Sequence, residues 1–156
     1  MEQARKERLK AYALMVVFVA LVMTYGRISA QLLRDLMETS LPAAPLIIGA
    51  VLLSLGTVAP LVVTFRPAAA PDLLQKMRDK GHRSGKLVTM QTAGRSLSMY
   101  VVALAVTPML YGLALVFLIG EFLAMLLLLP ATVILAVVGW FVVGRLLREM
   151  STMFLQ

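Results

Sequence analysis

Apolar residues in this chain fall into four long runs, at roughly Ala11–Ala30, Ala43–Phe65, Ser98–Ile119 and Phe122–Gly144. Each is about twenty residues long, the length a helix rising 1.5 Å per residue needs to cross roughly 30 Å of hydrocarbon. The runs are continuous rather than alternating, which argues against transmembrane β-strands. Helices satisfy their own backbone hydrogen bonds in lipid, so the pattern predicts an all-α integral membrane bundle of four transmembrane helices in one domain. The segments between the runs are short. None is expected to build a hydrophobic core of its own.

The pattern also predicts how the elements end. After Arg27, Ile28, Leu32 and Leu36 recur every four residues, so the first helix is expected to continue past Ala30 as an amphipathic projection on the membrane or a partner. Thr39, Ser40 and Pro42 should stop it, and Pro42 or Pro45 can open the next helix. Spans three and four are separated by Gly120-Glu121, which fits a minimal turn, and Pro108 and Pro130 fall inside them. Within the basic loop at 66–97, Pro71-Asp72 is expected to open a short helix, Leu73–Lys80, with Leu73, Leu74 and Met77 on its apolar face. Gly81 should close that helix, Gly81–Gly85 should be flexible, and Lys86–Leu97 should form a second short helix leading into span three. Met23-Thr24-Tyr25-Gly26 and Met109-Leu110-Tyr111-Gly112 form a faint internal repeat, as a parallel hairpin duplication would.

Charge sets the orientation. The chain carries 15 Lys and Arg against 8 Asp and Glu, a formal +7 that on its own invites a nucleic-acid reading. The placement of the bases points elsewhere. Arg5, Lys6, Arg8 and Lys10 precede span one, seven bases lie in the 66–97 loop, and Arg145 and Arg148 follow span four. The other side holds Arg27 and Arg34, offset by Asp35, Glu38 and Glu121. This positive-inside distribution predicts cytoplasmic N and C termini and a cytoplasmic loop, with a bacterial inner membrane as the expected location. Phe65 and Tyr100 are the aromatics near the loop, too few for base stacking, so no nucleic acid is expected. The basic start before an apolar run resembles a signal peptide, but Met23, Thr24 and Tyr25 stand where small residues would mark cleavage, so the segment is read as span one.

Candidate chemistry is sparse. Lys76, Arg78, Lys80, Arg83, Lys86 and Arg95 are the candidate contacts for anionic lipid headgroups or an acidic partner. Glu121, with Thr107 and Tyr111, is the candidate polar site at or inside the membrane. His82 stands alone between Gly81 and Arg83 and reads as an exposed loop histidine. There is no cysteine, and the eleven methionines lack the clustered spacing of a soft-metal site. No cofactor or catalytic residue is expected. Gly49, Ala50, Ser54, Gly56 and Ala59 give span two a small-residue face suited to close helix packing. Trp140 and Tyr100 fit a cytoplasmic interface belt, and Tyr25 an outer one.

One stretch resembles a known family. Thr107-Pro108-Met109-Leu110-Tyr111-Gly112-Leu113-Ala114-Leu115 is similar to the outer helix of the proteolipid c subunits of rotary ATPases, where a Tyr-Gly-Leu run follows the ion-carrying carboxylate. The order of span two, a basic loop starting at Arg66-Pro67, and span three also resembles that family. The resemblance implies a hairpin and self-association. It does not imply ion translocation, because Val106 stands at the carboxylate position and the loop is far longer than a rotor hairpin's. The expected function is therefore a non-enzymatic membrane subunit of a larger complex, with a proteolipid-like homo-oligomeric pore or transporter protomer as the alternative.

Overall fold

The structure, a computed structural model, describes residues 2–36, 43–85 and 87–154. Its four longest helical segments are Glu2–Leu36, Ala43–Thr64, Met90–Ile119 and Phe122–Phe154, each long and apolar enough to cross a membrane. The chain is a four-span helical membrane protein. The first segment is α1, the third α5 and the fourth α6; the second is divided into α2 (Ala43–Gly56) and α3 (Val58–Thr64). Between α3 and α5 lie a 3-10 turn, Pro67–Ala69, and helix α4 (Ala70–Arg83).

The helices overrun the apolar runs that predict them. At 35 residues α1 is about 52 Å long, and α6 continues ten residues past Gly144 to Phe154. The overrun is longest at the basic end of the bundle, where both ends of the described chain meet. There Ala4, Ala70, Leu74, Ala93, Leu97, Leu146, Leu147 and Met150 join one buried cluster with Leu61, Phe65, Val101 and Val143. In keeping with the sequence, no described segment between the spans builds a core of its own. The span helices and α4 build it together.

Alpha-5 and α6 form the central hairpin, reversing at Gly120, which adopts φ +70, and Glu121. Alpha-1 and α2 pack separately against it. Ala11 and Met15 of α1 meet Val102, Ala105, Val106 and Leu135. Ala50 of α2 meets Leu115, Ala124 and Leu128. Met125 is a knob seated in two glycine gaps. A Cβ on Gly26 would stand 2.6 Å from its Cε, and a Cβ on Gly112 would stand 2.8 Å from its Cα. These are the two glycines of the faint repeat. Alpha-1 and α5 run parallel, since Gly94 abuts Ala4 at one end and Gly26 approaches Leu113 towards the other.

The expected amphipathic continuation past Ala30 is present: α1 runs on to Leu36, and Leu33 on its inner side lies against Gly120 at the hairpin turn. Ile28, Leu32 and Leu36 form an exposed apolar stripe on the outward side. The expected stop at Thr39, Ser40 and Pro42 lies outside the described residues. Span two is broken at Thr57. Pro60 has no backbone N–H, so the Gly56 carbonyl loses its helical donor. The Ser54 hydroxyl donates to the Ala50 carbonyl and the Thr57 hydroxyl to the Ser54 carbonyl, both at 2.6 Å, which tightens the turn at the break. Among the small residues of span two, Ala50 and Ser54 alone are closely packed, because a Cβ on Gly49 or Gly56 meets nothing within 4 Å and Ala59 is exposed.

The loop is more ordered than its composition suggests. Alpha-4 runs through Gly81, which is buried inside it, and ends at Arg83, with Gly85 at φ +65 making the reversal. Gly81 thus does not close the helix, which runs two residues further. Leu73, Leu74 and Met77 do form its apolar face, and that face is covered by α6. The expected second loop helix is the first two turns of α5. Thr89 caps it: the Thr92 N–H donates to the Thr89 hydroxyl at 3.3 Å, and the Thr89 N–H donates to the Thr92 hydroxyl at 2.9 Å. Thr89→Ala is expected to cost about 1 kcal/mol. Hydrogen exchange should show faster amides at Met90–Ala93 and unchanged amides beyond Leu97.

Candidate functional site

The residues expected to form a site do not converge. Lys76, Arg78, Lys80 and Arg83 are exposed on α4, and His82 is exposed on the same helix rather than in a loop. Arg78 lies 5.7 Å over the Phe154 ring. Arg95 is exposed on α5, and Lys86 lies outside the described residues. Glu121 sits in the hairpin turn, half exposed, with its carboxylate 4.0 Å from Arg34. Thr107 donates back to the Ala103 carbonyl at 3.1 Å, and Tyr111 is half-buried in the α2 contact. Val106, at the carboxylate position of the proteolipid resemblance, is buried among α1 and α6 side chains. Tyr100 pairs with Phe65 at 5.3 Å between ring centroids.

Another set of residues does converge. Arg5 and Arg8 are three apart on α1, and Arg145 and Arg148 are three apart on α6, so each pair shares one side of its helix. The two pairs line one cleft of about 950 Å³ between the N-terminal turns of α1 and the C-terminal turns of α6, with Trp140 and Gly144 in its wall. Arg8 anchors the cleft. Its guanidinium carbon stands 4.0 Å from the Trp140 ring centroid, and Nη1 donates to the Trp140 carbonyl at 3.2 Å. A cation on an indole face contributes about 1–2 kcal/mol when partly desolvated. Gly144 makes this possible, because a Cβ there would collide with Arg8 Nη1. Arg8 precedes the apolar run of α1. Burial pushes its pKa below the ordinary guanidinium value, and the Arg5 and Arg148 charges push the same way.

Glu2 also lines the cleft, but its carboxylate is 2.9 Å from Lys6, one turn along the same helix. The remaining cations, Arg5, Arg145 and Arg148, are exposed. Like charges gathered in this way repel each other, and an anion placed among them relieves that cost. Arginine suits phosphate oxygens in particular, since its planar fork donates two parallel hydrogen bonds.

Just inside the cleft, the Tyr12 ring meets Trp140 edge-on at 4.9 Å. Tyr12, Ala136, Val137, Trp140 and Phe141 line a second, apolar trench of about 310 Å³. Trp140 and Phe141 line both hollows, so the trench continues the cleft towards the span. Among the described residues, the Tyr12 hydroxyl is buried without a hydrogen-bond partner. Tyr12→Phe is therefore expected to be neutral or to stabilise by up to about 1 kcal/mol, since it removes an unmatched buried polar group and keeps the ring contact. A thermal melt in detergent checks this; a loss above about 1 kcal/mol would show that the hydroxyl is bonded.

The two arginine pairs were open to sequence reading as i,i+3 spacings. Their convergence was not, because it depends on which helices are neighbours. Comparison with protein-family models, with curated proteins and with solved structures finds no match to this chain.

Proposed function

We propose that this chain is a non-enzymatic subunit of a larger membrane complex, seated in a bacterial cytoplasmic membrane with its basic end inside, where it meets anionic lipid headgroups. The observation that supports this reading is the segregation of charge on a folded scaffold. Thirteen of the fifteen bases belong to the segments at one end of the bundle, and those described, Arg66 apart, are carried on helices packed around a shared core. Fixed helices present charge to a headgroup layer at constant depth, each base near the surface adding about 1 kcal/mol of attraction. Two faces are open to neighbouring subunits: the Ile28, Leu32 and Leu36 stripe of α1, and the side of α2 bearing Gly49 and Gly56. Small residues there would allow another helix to approach closely.

The proteolipid-like homo-oligomer is the second reading. The packing of α2 on α5 at Ala50 and Leu115 favours it, since these are the two spans of the resemblance. Native mass spectrometry after gentle extraction separates the two. The subunit reading expects unlike polypeptides bound in fixed ratio. A ring of this chain alone would overturn it in favour of the proteolipid-like one.

A further inference from the structure

We infer that the cleft between α1 and α6 binds one anionic glycerophospholipid, its phosphate among Arg5, Arg8, Arg145 and Arg148 and an acyl chain in the trench beside Tyr12 and Trp140. The inference rests on the proposed function only for placing this end of the bundle at the headgroup level.

Three features of the cleft point to this ligand together. The first is charge: four guanidinium groups face one carboxylate, and that carboxylate is engaged by Lys6. The second is geometry. The arginines come from two helices, two from each, so a phosphate between them can accept from both walls, while the stacking of Arg8 on Trp140 fixes one donor in place. The third is the trench. A free phosphate ion has no use for an apolar channel, whereas a phospholipid must place a hydrocarbon chain directly below its headgroup. Tyr12, Ala136, Val137 and Phe141 offer carbon at that position. Trp140 stands at the junction, with its ring between the charged and apolar parts, as aromatic side chains do at membrane interfaces.

The bases of α4 differ in kind. Lys76, Arg78 and Lys80 are exposed on a helix whose other side is docked on α6. None of them lines the cleft. They attract an anionic surface in general, and the cleft selects a molecule.

Trp140 is the single tryptophan of the chain, so its fluorescence reports on this site alone. The full chain is placed in phosphatidylcholine nanodiscs. An equal fraction of brominated-chain phosphatidylglycerol or of brominated-chain phosphatidylcholine is added, and quenching is expressed relative to the unbrominated lipid. The anionic lipid is expected to occupy the site with a preference of at least about tenfold. In the triple variant Arg5→Gln, Arg145→Gln, Arg148→Gln, the preference is expected to fall to near unity. Those three side chains are exposed, and Arg8 stays on Trp140, so the fold is kept. The variant Lys76→Gln, Arg78→Gln, Lys80→Gln is expected to keep the preference intact.

Equal quenching by the two lipids overturns the inference, as does a preference that survives the triple arginine variant or disappears in the α4 variant. Inorganic phosphate that abolishes the preference at millimolar concentration would make the site one for the free ion and would overturn the lipid assignment. Failure here is distinguishable from failure of the subunit reading. A selective cleft in a chain that extracts without unlike partners leaves the lipid site standing and removes the larger complex.

Discussion

Replacing Gly112 with leucine is expected to force α5 and α6 apart and to lower the melting temperature by roughly 6–12 °C, a stability loss of about 3 kcal/mol. A Cβ at position 112 would lie 2.8 Å from the Cα of Met125, 3.0 Å from its Cγ and 3.2 Å from its Cβ. The nearest of these atoms is backbone, so no side-chain rotation relieves the clash and the helices must separate. The strain does not stay local. Met125 is fully buried, and its Sδ and Cε also fill the gap at Gly26. Moving it disturbs α1 together with the hairpin. Gly112→Ala should show a smaller loss of the same sign, because it already carries the clashing atom. Gly49→Ala is the matched control: a Cβ there meets no atom within 4 Å, and alanine favours the helix by about 1 kcal/mol over glycine. Trp140 emission during a thermal melt in detergent measures all three. A Gly112→Leu protein that melts within about 2 °C of the parent would mean that the helices do not approach here as described.

The four spans were legible because each is a long apolar run, and membrane hydrocarbon admits few other solutions for such runs. Their ends were not. Hydropathy falls where Arg5, Lys6 and Arg8 or Arg145 and Arg148 enter, yet the helical spacing of buried positions continues through the charges. Ala4 and Ala11 lie seven apart on α1, and Val143 is followed by Leu146, Leu147 and Met150 at three, four and seven residues on α6. Run length therefore located the membrane segments, whereas the helix ends at the basic side follow the spacing of buried positions, which hydropathy does not show. The turn at Gly120-Glu121 could be read from two residues. The break at Thr57 could have been read from Pro60, whose missing donor is a property of the sequence. The candidate site was obscured for a different reason. The bases of the 66–97 loop are contiguous along the chain and draw notice as a cluster. Arg8 and Trp140 are 132 residues apart, and nothing in either segment specifies that α1 and α6 are neighbours.

Replacing Leu74 with aspartate is expected to detach α4 from α6 and to raise trypsin cleavage at Arg78, Lys80 and Arg83 on the order of a hundredfold. Leu74 is 4% exposed, in one buried cluster with Ala70, Leu146, Leu147 and Met150. Truncating a buried leucine alone costs about 2–5 kcal/mol, and an unpaired carboxylate in the same place costs more. A short helix avoids that cost by leaving the surface. If docking is weakened by about 3 kcal/mol, the open population rises by a factor of more than one hundred at 1.4 kcal/mol per tenfold. Cleavage of a transiently opened segment follows that population when reclosing is fast. Gln75→Asp changes the charge of α4 at an exposed position and should leave cleavage unchanged. Trp140 emission reports whether the α1–α6 cleft is disturbed as well, since Ala4 and Leu147 line that cleft and belong to the cluster that buries Leu74. Equal cleavage of Leu74→Asp and the parent would show that α4 is tethered rather than docked. Its bases would then move independently of the cleft, whereas a docked α4 holds them in fixed relation to Arg145 and Arg148 on the helix it packs against.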